Sequence, residues 1–103
     1  MPTDVELKAI NRLFNIAKAG TADSRRVADF LLTWWDAGLN GGFDLTTMWS
    51  LDAGIQGDLV IAFEMIGREK CYPDDWGYGP GIREVVRQWR PEWVEAVDAR
   101  YGE

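Results

Sequence analysis

The chain has 103 residues, of which 47% are apolar, and a formal net charge of −6. This length suits one domain, over residues 1–103, and the apolar fraction supports a hydrophobic core, which excludes a disordered tail. A pI near 4.6 disfavours nonspecific binding to phosphate or to anionic membranes, because both need clustered Lys and Arg.

No apolar run approaches the roughly 20 residues that span a bilayer. The first ten residues, MPTDVELKAI, lack the basic and apolar regions of a signal peptide. The chain has a single cysteine, Cys71, whereas small secreted domains usually need several for disulfides. We therefore expect a cytoplasmic protein without a membrane partner.

The first predicted helix follows a cap at Thr3 or Asp4 and stops near Gly20. Its apolar residues recur at steps of three and four and so share one face, which is the period of an amphipathic helix. These residues are Leu7, Ile10, Leu13, Phe14 and Ala17.

A second helix begins after Thr21 or Asp23, and Gly38 is expected to end it. Its apolar residues are Val27, Phe30, Leu31, Trp34 and Trp35. Since adjacent positions on a helix differ by about 100°, the last two rings cannot both point into the core, and we expect one at its edge. Residues 40–42 (NGG) form a turn signal, but no alternating pattern flanks it, so we reject a hairpin there.

Asp44 is the predicted cap of a short helix, LTTMWSL, and Asp52 that of a fourth helix. The fourth helix has an apolar stripe expected to face the core: Ile55, Leu59, Ala62, Phe63 and Ile66. Gly54 and Gly57 weaken its first turns and would let another backbone approach closely.

The fifth predicted helix carries Ile82, Val85, Val86 and Trp89, and Pro91 ends it and opens a sixth. The sixth helix carries three apolar positions: Val94, Val97 and Tyr101. The sequence therefore predicts an all-α fold, a compact irregular bundle of five to six short helices.

The residue types present exclude much catalytic chemistry. There is no histidine, which removes the commonest general base, the Ser-His and Cys-His nucleophile arrangements and most zinc sites. No phosphate-binding glycine motif and no calcium-loop spacing occurs. An enzyme would have to use carboxylates, Tyr, Lys or Arg, so we expect no catalytic activity, no cofactor and no bound metal.

The stretch CYPDDWGYGPG, residues 71–81, contains the residues that stand out most. Asp74 and Asp75 are either a metal-binding or catalytic pair or, as we prefer, a turn in which one carboxylate accepts backbone N–H bonds. Trp76 and Tyr78 are either core plugs, which we prefer, or exposed anchors for a partner, because Trp and Tyr dominate binding hot spots. A buried, inert thiol is the preferred interpretation of Cys71.

Arg83, Arg87 and Arg90 follow at i, i+4 and i+7 and form a basic stripe on an acidic protein. The stripe is either a solvated helix face or a contact for phosphate or an acidic partner. Nucleic-acid binding would be weak unless Arg25 and Arg26 joined it. Together with the loop, the stripe gives the candidate partner-binding residues: Asp74, Asp75, Trp76, Tyr78, Arg83, Arg87 and Arg90.

The stretches SRRVADFLLTWWDAGLNGGFDLTTMW and YPDDWGYGPGIREVVRQWRPEWV resemble a family of small uncharacterised proteobacterial proteins. Members are often found on plasmids, genomic islands and prophage-like elements, and the similarity covers roughly residues 8–97. The resemblance implies no activity, cofactor or catalytic residue. It implies the setting of a mobile element, whose small accessory genes often encode inhibitors of host defence, including anti-CRISPR and anti-restriction proteins.

Our first hypothesis is a non-catalytic, acidic protein-binding module of a mobile element that inhibits host defence by occupying a basic surface, such as that of a nucleic-acid-targeting complex. Its carboxylates facing that partner would be Asp36, Asp44, Asp52, Asp58, Asp74 and Asp75. The alternative is a nucleic-acid-binding accessory protein that uses the arginine stripe. A carboxylate-dependent enzyme ranks third, and the surplus aromatic residues also allow a homodimer.

Overall fold

The structure is a computed structural model that describes residues 2–101, with the backbone but not the side chain of Tyr101. The predicted role of that side chain, and residues 1, 102 and 103 of the predicted domain, lie outside the described residues. Within this range the chain is helical without strands, which confirms the all-α bundle and the absence of a hairpin. The α-helices are α1 (Asp4–Ala17), α2 (Ala22–Trp35), α3 (Ala37–Asn40), α4 (Ala53–Glu69), α5 (Gly79–Trp89) and α6 (Val94–Tyr101). Shorter 3₁₀ helices span Leu45–Ser50, Pro73–Trp76 and Pro91–Trp93.

The predicted helix starts are confirmed by side-chain caps. Thr3 accepts from the backbone N–H of Glu6 at 3.2 Å, and the Glu6 carboxylate accepts from the Thr3 N–H at 2.8 Å. Thr21 makes the same reciprocal box with Ser24. Asp52 accepts from the backbone N–H three residues on, at 3.0 Å. Each cap satisfies N–H groups that the first helical turn leaves without partners.

The predicted end of the second helix at Gly38 is wrong, because α2 ends at Trp35. Asp36 is extended (φ −159°), which breaks the helical path. Its carboxylate then accepts from the backbone N–H of Leu39 at 3.1 Å and so caps the one-turn helix α3. A residue that can bond its own downstream backbone therefore ends one helix and starts the next.

Helix α1 lies at the centre of the bundle, and α2, α4 and α5 all pack against it. Helix α6 packs on α5, and the described chain has a radius of gyration of 12.8 Å. The largest fully buried apolar side chains come from every α-helix except the short α3, and Pro73 of a 3₁₀ helix joins them: Ile10, Leu13, Val27, Leu31, Leu32, Trp35, Met65, Ile82, Val85, Val86 and Val97.

Two indole N–H groups bond backbone carbonyls of other segments, and the predicted difference between Trp34 and Trp35 is confirmed. Trp35 is buried whereas Trp34 lies at the core edge and donates its indole N–H to the carbonyl of Cys71 at 2.8 Å. Trp89 donates to the carbonyl of Ala17 at 2.7 Å, at the end of α1. Trp49 is an exception, because its ring is 83% exposed on the 3₁₀ helix Leu45–Ser50.

Helix α4 is attached to α1 by two forked ion pairs. Arg12 donates to both oxygens of Asp58 at 2.8 and 2.9 Å, and Arg68 donates to both oxygens of Glu6 at 2.6 and 2.8 Å. Hydrogen bonding from Arg68 lowers the pKa of Glu6 to about 2, and the Glu6 carboxylate raises the pKa of Arg68. Both pairs lie where α4 meets α1.

The predicted stripe of α4 is confirmed for Ile55, Leu59 and Ala62, but Phe63 is 71% exposed. The predicted stripe includes a residue too many on one flank. Helix α4 is apolar on two sides, and only one of these sides packs on α1. The predicted close approach at Gly57 is also wrong, since a Cβ there would meet no neighbouring segment within 4 Å.

Within the described range, no helix combines the length and the apolar character needed to cross a membrane.

Candidate partner-binding surface

An apolar groove of about 610 Å³ lies between α2 and α4, and the segment 43–48 forms its third side. Both helices pack on α1, which leaves the space between them open to solvent. The lining is almost wholly apolar: Phe30, Thr33, Trp34, Phe43, Leu45, Met48, Leu59, Val60, Phe63 and Ile66. We call this surface the groove face.

The groove face is exposed to an unusual degree for apolar residues of a small domain. The exposed fractions are 57% for Val60, 71% for Phe63 and 73% for Leu45. Trp49, at 83%, lies on the same 3₁₀ helix as Leu45. Contiguous exposed apolar surface of this kind marks interaction sites in folded proteins, because single exposed residues need no explanation but a grouped set does.

Hydrogen bonds and ring contacts hold the segment that closes the groove face. Phe43 packs edge-on against Phe30, with ring centroids 5.5 Å apart. The Asn40 amide donates to the hydroxyl of Thr33 at 2.8 Å and to the Asp29 carboxylate at 2.9 Å. The Gln56 amide of α4 donates to the carbonyl of Met48. The groove face is therefore formed before any partner binds, which lowers the ordering cost of binding.

The same part of the sequence carries the net charge of the chain. Residues 27–67 contain no Lys or Arg and six carboxylates, so they account for the whole net charge of −6. The eleven acidic residues elsewhere are balanced by eleven Lys and Arg. The six carboxylates are Asp29, Asp36, Asp44, Asp52, Asp58 and Glu64.

Half of these carboxylates form ion pairs with arginines from distant parts of the chain: Asp29 with Arg90 at 3.5 Å, Asp36 with Arg100 at 2.7 Å and Asp58 with Arg12 at 2.8 Å. Asp44, Asp52 and Glu64 are in no ion pair with another residue in the described part of the chain. These three carboxylates therefore leave negative charge in residues 27–67 that no ion pair within the described residues compensates.

Two of these carboxylates belong to residues that are next to groove-lining residues in the sequence. Asp44 sits between the lining residues Phe43 and Leu45, and Glu64 follows Phe63, one helical turn after Val60. Hydrogen bonds from the hydroxyl and N–H of the neighbouring Thr46 lower the pKa of Asp44, which keeps it ionised.

None of the predicted partner-binding residues of the loop is part of the groove lining. The Tyr78 ring stacks on Phe14, with centroids 5.0 Å apart and planes 8° apart, and its hydroxyl donates to Asn11 at 3.0 Å. Burial raises the pKa of Tyr78. Tyr78 therefore has the geometry of the predicted core plug. Trp76 is half-buried, and its indole N–H has no hydrogen-bond partner among residues 2–101.

The side chains of Asp74 and Asp75 have different neighbours. Asp75 accepts from the backbone N–H of Tyr72 at 2.7 Å, which is the predicted turn. Asp74 is exposed and lines a polar depression with Arg100. Among the described residues, no group of three or more Cys, Asp or Glu is placed to hold a metal ion. Cys71 is half-buried rather than buried.

The predicted arginine stripe is divided between two neighbours. Arg83 and Arg87 face Asp98 of α6, at 3.3 and 3.7 Å. Arg90 pairs with Asp29 and lies over the ring of Trp93 at 5.8 Å. Arg90 also lines a depression of about 410 Å³ together with two basic residues of α2, Arg25 and Arg26.

Comparison with known proteins gives a family. Residues 7–90 match the family of unknown function DUF7673. The chain belongs to this family. No curated protein and no solved structure matches the chain. The expected membership of an uncharacterised family is confirmed at this level, and the DUF7673 region contains the whole groove face, whereas α6 lies outside it.

The groove face of this DUF7673 protein was missed by sequence reasoning. Two signals could have located it. Helix α4 carries Val60 in addition to the predicted stripe, so its apolar surface is wider than a single core-facing stripe. Residues 27–67 form a long stretch without a basic residue, and that stretch coincides with the groove-lining elements.

Proposed function

We propose that this protein is a non-catalytic binding module whose groove face docks on a partner protein with a basic surface. The observation that supports this most is the coincidence of two features. The groove lies in the segment that holds the net negative charge of the chain. Three of its apolar lining residues, Leu45, Val60 and Phe63, are more than half exposed.

The two features serve different steps of binding. Burial of Leu45, Val60 and Phe63 by a partner would supply affinity, at about 25 cal/mol for each Å² of apolar surface removed from water. Asp44 and Glu64 would act at longer range, because complementary charge speeds the encounter and rejects acidic partners. A polar rim around an apolar centre is the usual arrangement of an interface, and these two carboxylates would be part of such a rim.

The proposed class of partner follows from charge and from the resemblance of the sequence to proteins of mobile elements. Complexes that target nucleic acid carry basic surfaces, and an acidic module of a plasmid or prophage can inhibit them by covering such a surface. We propose an inhibitor of host defence, of the anti-CRISPR or anti-restriction type, as the biological role.

The experiment compares three immobilised proteins in a lysate of the natural host: the wild type, Phe63→Ser on the groove face, and Val5→Ser on α1. Val5 is a matched control because it is 62% exposed and is not part of the groove lining. A specific partner is a basic protein that the wild type and Val5→Ser retain, that Phe63→Ser loses and that salt elutes. The same order of binding must then hold with the purified partner.

Equal retention of the purified partner by Phe63→Ser and by the wild type contradicts the proposed function. The inhibitor role has its own readout. Nucleic-acid cleavage by the purified partner complex should fall on addition of the wild type and should not fall on addition of Phe63→Ser. Unchanged cleavage with a bound wild type contradicts inhibition while leaving the binding function in place.

A second candidate, nucleic-acid binding, is favoured by one specific observation, the depression that brings together Arg25, Arg26 and Arg90. Its charge is reduced by Asp29, which lines the same depression. A gel shift at about 50 mM salt tests this function, because nonspecific binding is strongest at low salt. No shift at micromolar protein rules it out, and a shift that the double variant Arg25→Ala, Arg26→Ala removes supports it.

A further inference from the structure

We infer that the segment received by the groove face is a basic amphipathic α-helix of the partner. This inference rests on the proposed function and adds to it the secondary structure, the apolar spacing and the charge of the bound segment. Three properties of the groove carry it: a lining with almost no hydrogen-bonding groups, an apolar floor between two helices, and an acidic border.

The lining determines the backbone conformation of the ligand segment. Thr33 is the one polar residue among the ten that line the groove, and within residues 2–101 there is no strand whose edge could pair with an extended peptide. An extended segment would therefore bury backbone N–H and C=O groups without partners, and each such group is costly. A helix satisfies its own backbone groups and can enter an apolar groove at no such cost.

The floor determines the side chains of the bound face. Phe30, Trp34 and Leu59 lie on helices that both pack on α1, so the groove between them is a place where another helix can pack against the bundle. A ligand helix would present apolar side chains at i, i+3 or i+4 and i+7 to this floor. Met48 in the lining can adapt to different side chains, because its unbranched chain fills irregular gaps.

The border determines the charge of the ligand. Asp44 and Glu64 are next to groove-lining residues in the sequence, and no Lys or Arg occurs between residues 27 and 67. The nearest basic residues along the chain after the groove are Arg68, which is paired with Glu6, and Lys70, which follows the end of α4. Lys and Arg on the flanks of the ligand helix would therefore find carboxylates, whereas Asp and Glu there would be repelled.

A second copy of this chain fits the groove poorly. Two groove faces placed together would bring Asp44 and Glu64 close to like charges, which is unfavourable. The most basic amphipathic helix of the chain is α5, but its apolar residues Ile82 and Val86 are fully buried in its own core. The apolar side of α5 is therefore not available to the groove of another copy.

The experiment uses three labelled 14-residue peptides, because such a helix is about 21 Å long and the described protein measures 35 × 31 × 22 Å. The first peptide places Leu on one helical face and Lys on the other. The second replaces every Lys by Glu, and the third keeps the Leu and Lys composition but has a central Pro that prevents a continuous helix. Fluorescence anisotropy measures binding, and circular dichroism measures helix formation in the complex.

We expect the Leu/Lys peptide to bind at least about tenfold more tightly than either other peptide and to gain helix on binding. Phe63→Ser should weaken it about tenfold or more, and the double variant Asp44→Asn, Glu64→Gln should reduce its dependence on salt. Val5→Ser should bind like the wild type. Ultracentrifugation should show one protein per peptide.

Three results would overturn the inference: equal binding of the Pro peptide, equal binding of the Glu peptide, or the same affinity for Phe63→Ser as for Val5→Ser. Failure of the inference is distinguishable from failure of the proposed function. If the purified partner still loses its binding to Phe63→Ser while the Leu/Lys helix does not bind the wild type, the groove receives a different kind of segment. If the partner binds Phe63→Ser unchanged, both proposals are wrong.

Discussion

The rings of Tyr78 and Phe14 lie parallel, with centroids 5.0 Å apart, and join the loop before α5 to the central helix α1. Gly81 lies against the same Phe14 ring, so closely that a Cβ at position 81 would come within 3.0 Å of two ring carbons. The Phe14 ring is therefore in contact with the loop and with the first turn of α5. This arrangement explains how a loop rich in Gly and Pro can be part of the bundle.

Gly81→Ala should lower the free energy of unfolding by about 1 kcal/mol or more. The added methyl group must displace the Phe14 ring, which Tyr78 holds, and overpacking of this kind is destabilising. The matched control is Gly57→Ala in α4, where a Cβ meets no neighbouring segment within 4 Å. Because Ala has a higher helix propensity than Gly, Gly57→Ala should raise the free energy of unfolding by about 0.5–1 kcal/mol. Urea denaturation measures both, and a stabilising Gly81→Ala would contradict the tight contact.

Tyr78→Ala should lower the free energy of unfolding by about 3 kcal/mol, in the range measured for other aromatic residues cut back to Ala. Tyr78→Phe keeps the stacking on Phe14 and loses the hydrogen bond to Asn11, so it should cost about 1 kcal/mol or less. Denaturant curves measure both changes. If Tyr78→Ala were as stable as the wild type, the ring would not act as a core plug.

Local signals made most of the helices predictable. The caps at Thr3, Thr21 and Asp52 depend on residues a few positions apart, and all three are found in the structure. The end of α2 was misplaced, because Asp36 and Gly38 both interrupt helices and the sequence does not rank them.

The groove face was not predictable by the same means. Helix α4 has two apolar sides, and the period alone does not tell which one faces the core. The side of α4 that meets α1 carries the ion pairs of Asp58 with Arg12 and of Arg68 with Glu6, which join residues 46 and 62 positions apart. No local rule pairs residues at such separations, so Phe63 was assigned to the core although it is exposed.

The Glu6–Arg68 pair predicts a loss of stability in acid. The folded pKa of Glu6, about 2, lies below its usual value of 4.5, because Arg68 and the Thr3 N–H bond the ionised form. The ionised carboxylate therefore stabilises the fold fully above about pH 4.5, and this contribution is lost as the pH falls toward 2.

The measurement for this pair is the free energy of unfolding between pH 7 and pH 2 for the wild type, Glu6→Gln and Arg68→Met. The stability difference between the wild type and Glu6→Gln should be largest above pH 4.5 and should shrink toward pH 2. Arg68→Met should weaken the same pH dependence, since it removes the main cause of the lowered pKa. A difference that stays constant with pH would show that Glu6 titrates alike in the folded and unfolded chains.

The last prediction separates the two apolar sides of α4. Met65 is fully buried, so Met65→Ala should lower the free energy of unfolding by about 2–5 kcal/mol through lost burial and a new cavity. Phe63, two residues earlier, is 71% exposed. Phe63→Ser should therefore change the free energy of unfolding by only about 0.5 kcal/mol.

If Phe63 belongs to a docking surface, Phe63→Ser should instead change what the folded protein binds. Binding of a dye that fluoresces on apolar surface should fall relative to the wild type and to Val5→Ser, because the largest exposed ring of the groove lining is removed. Thermal unfolding of the three proteins should be nearly the same. A Phe63→Ser protein that unfolds as readily as Met65→Ala would mean that the ring stabilises the core, and the groove would then be part of the fold rather than a surface kept open for a partner.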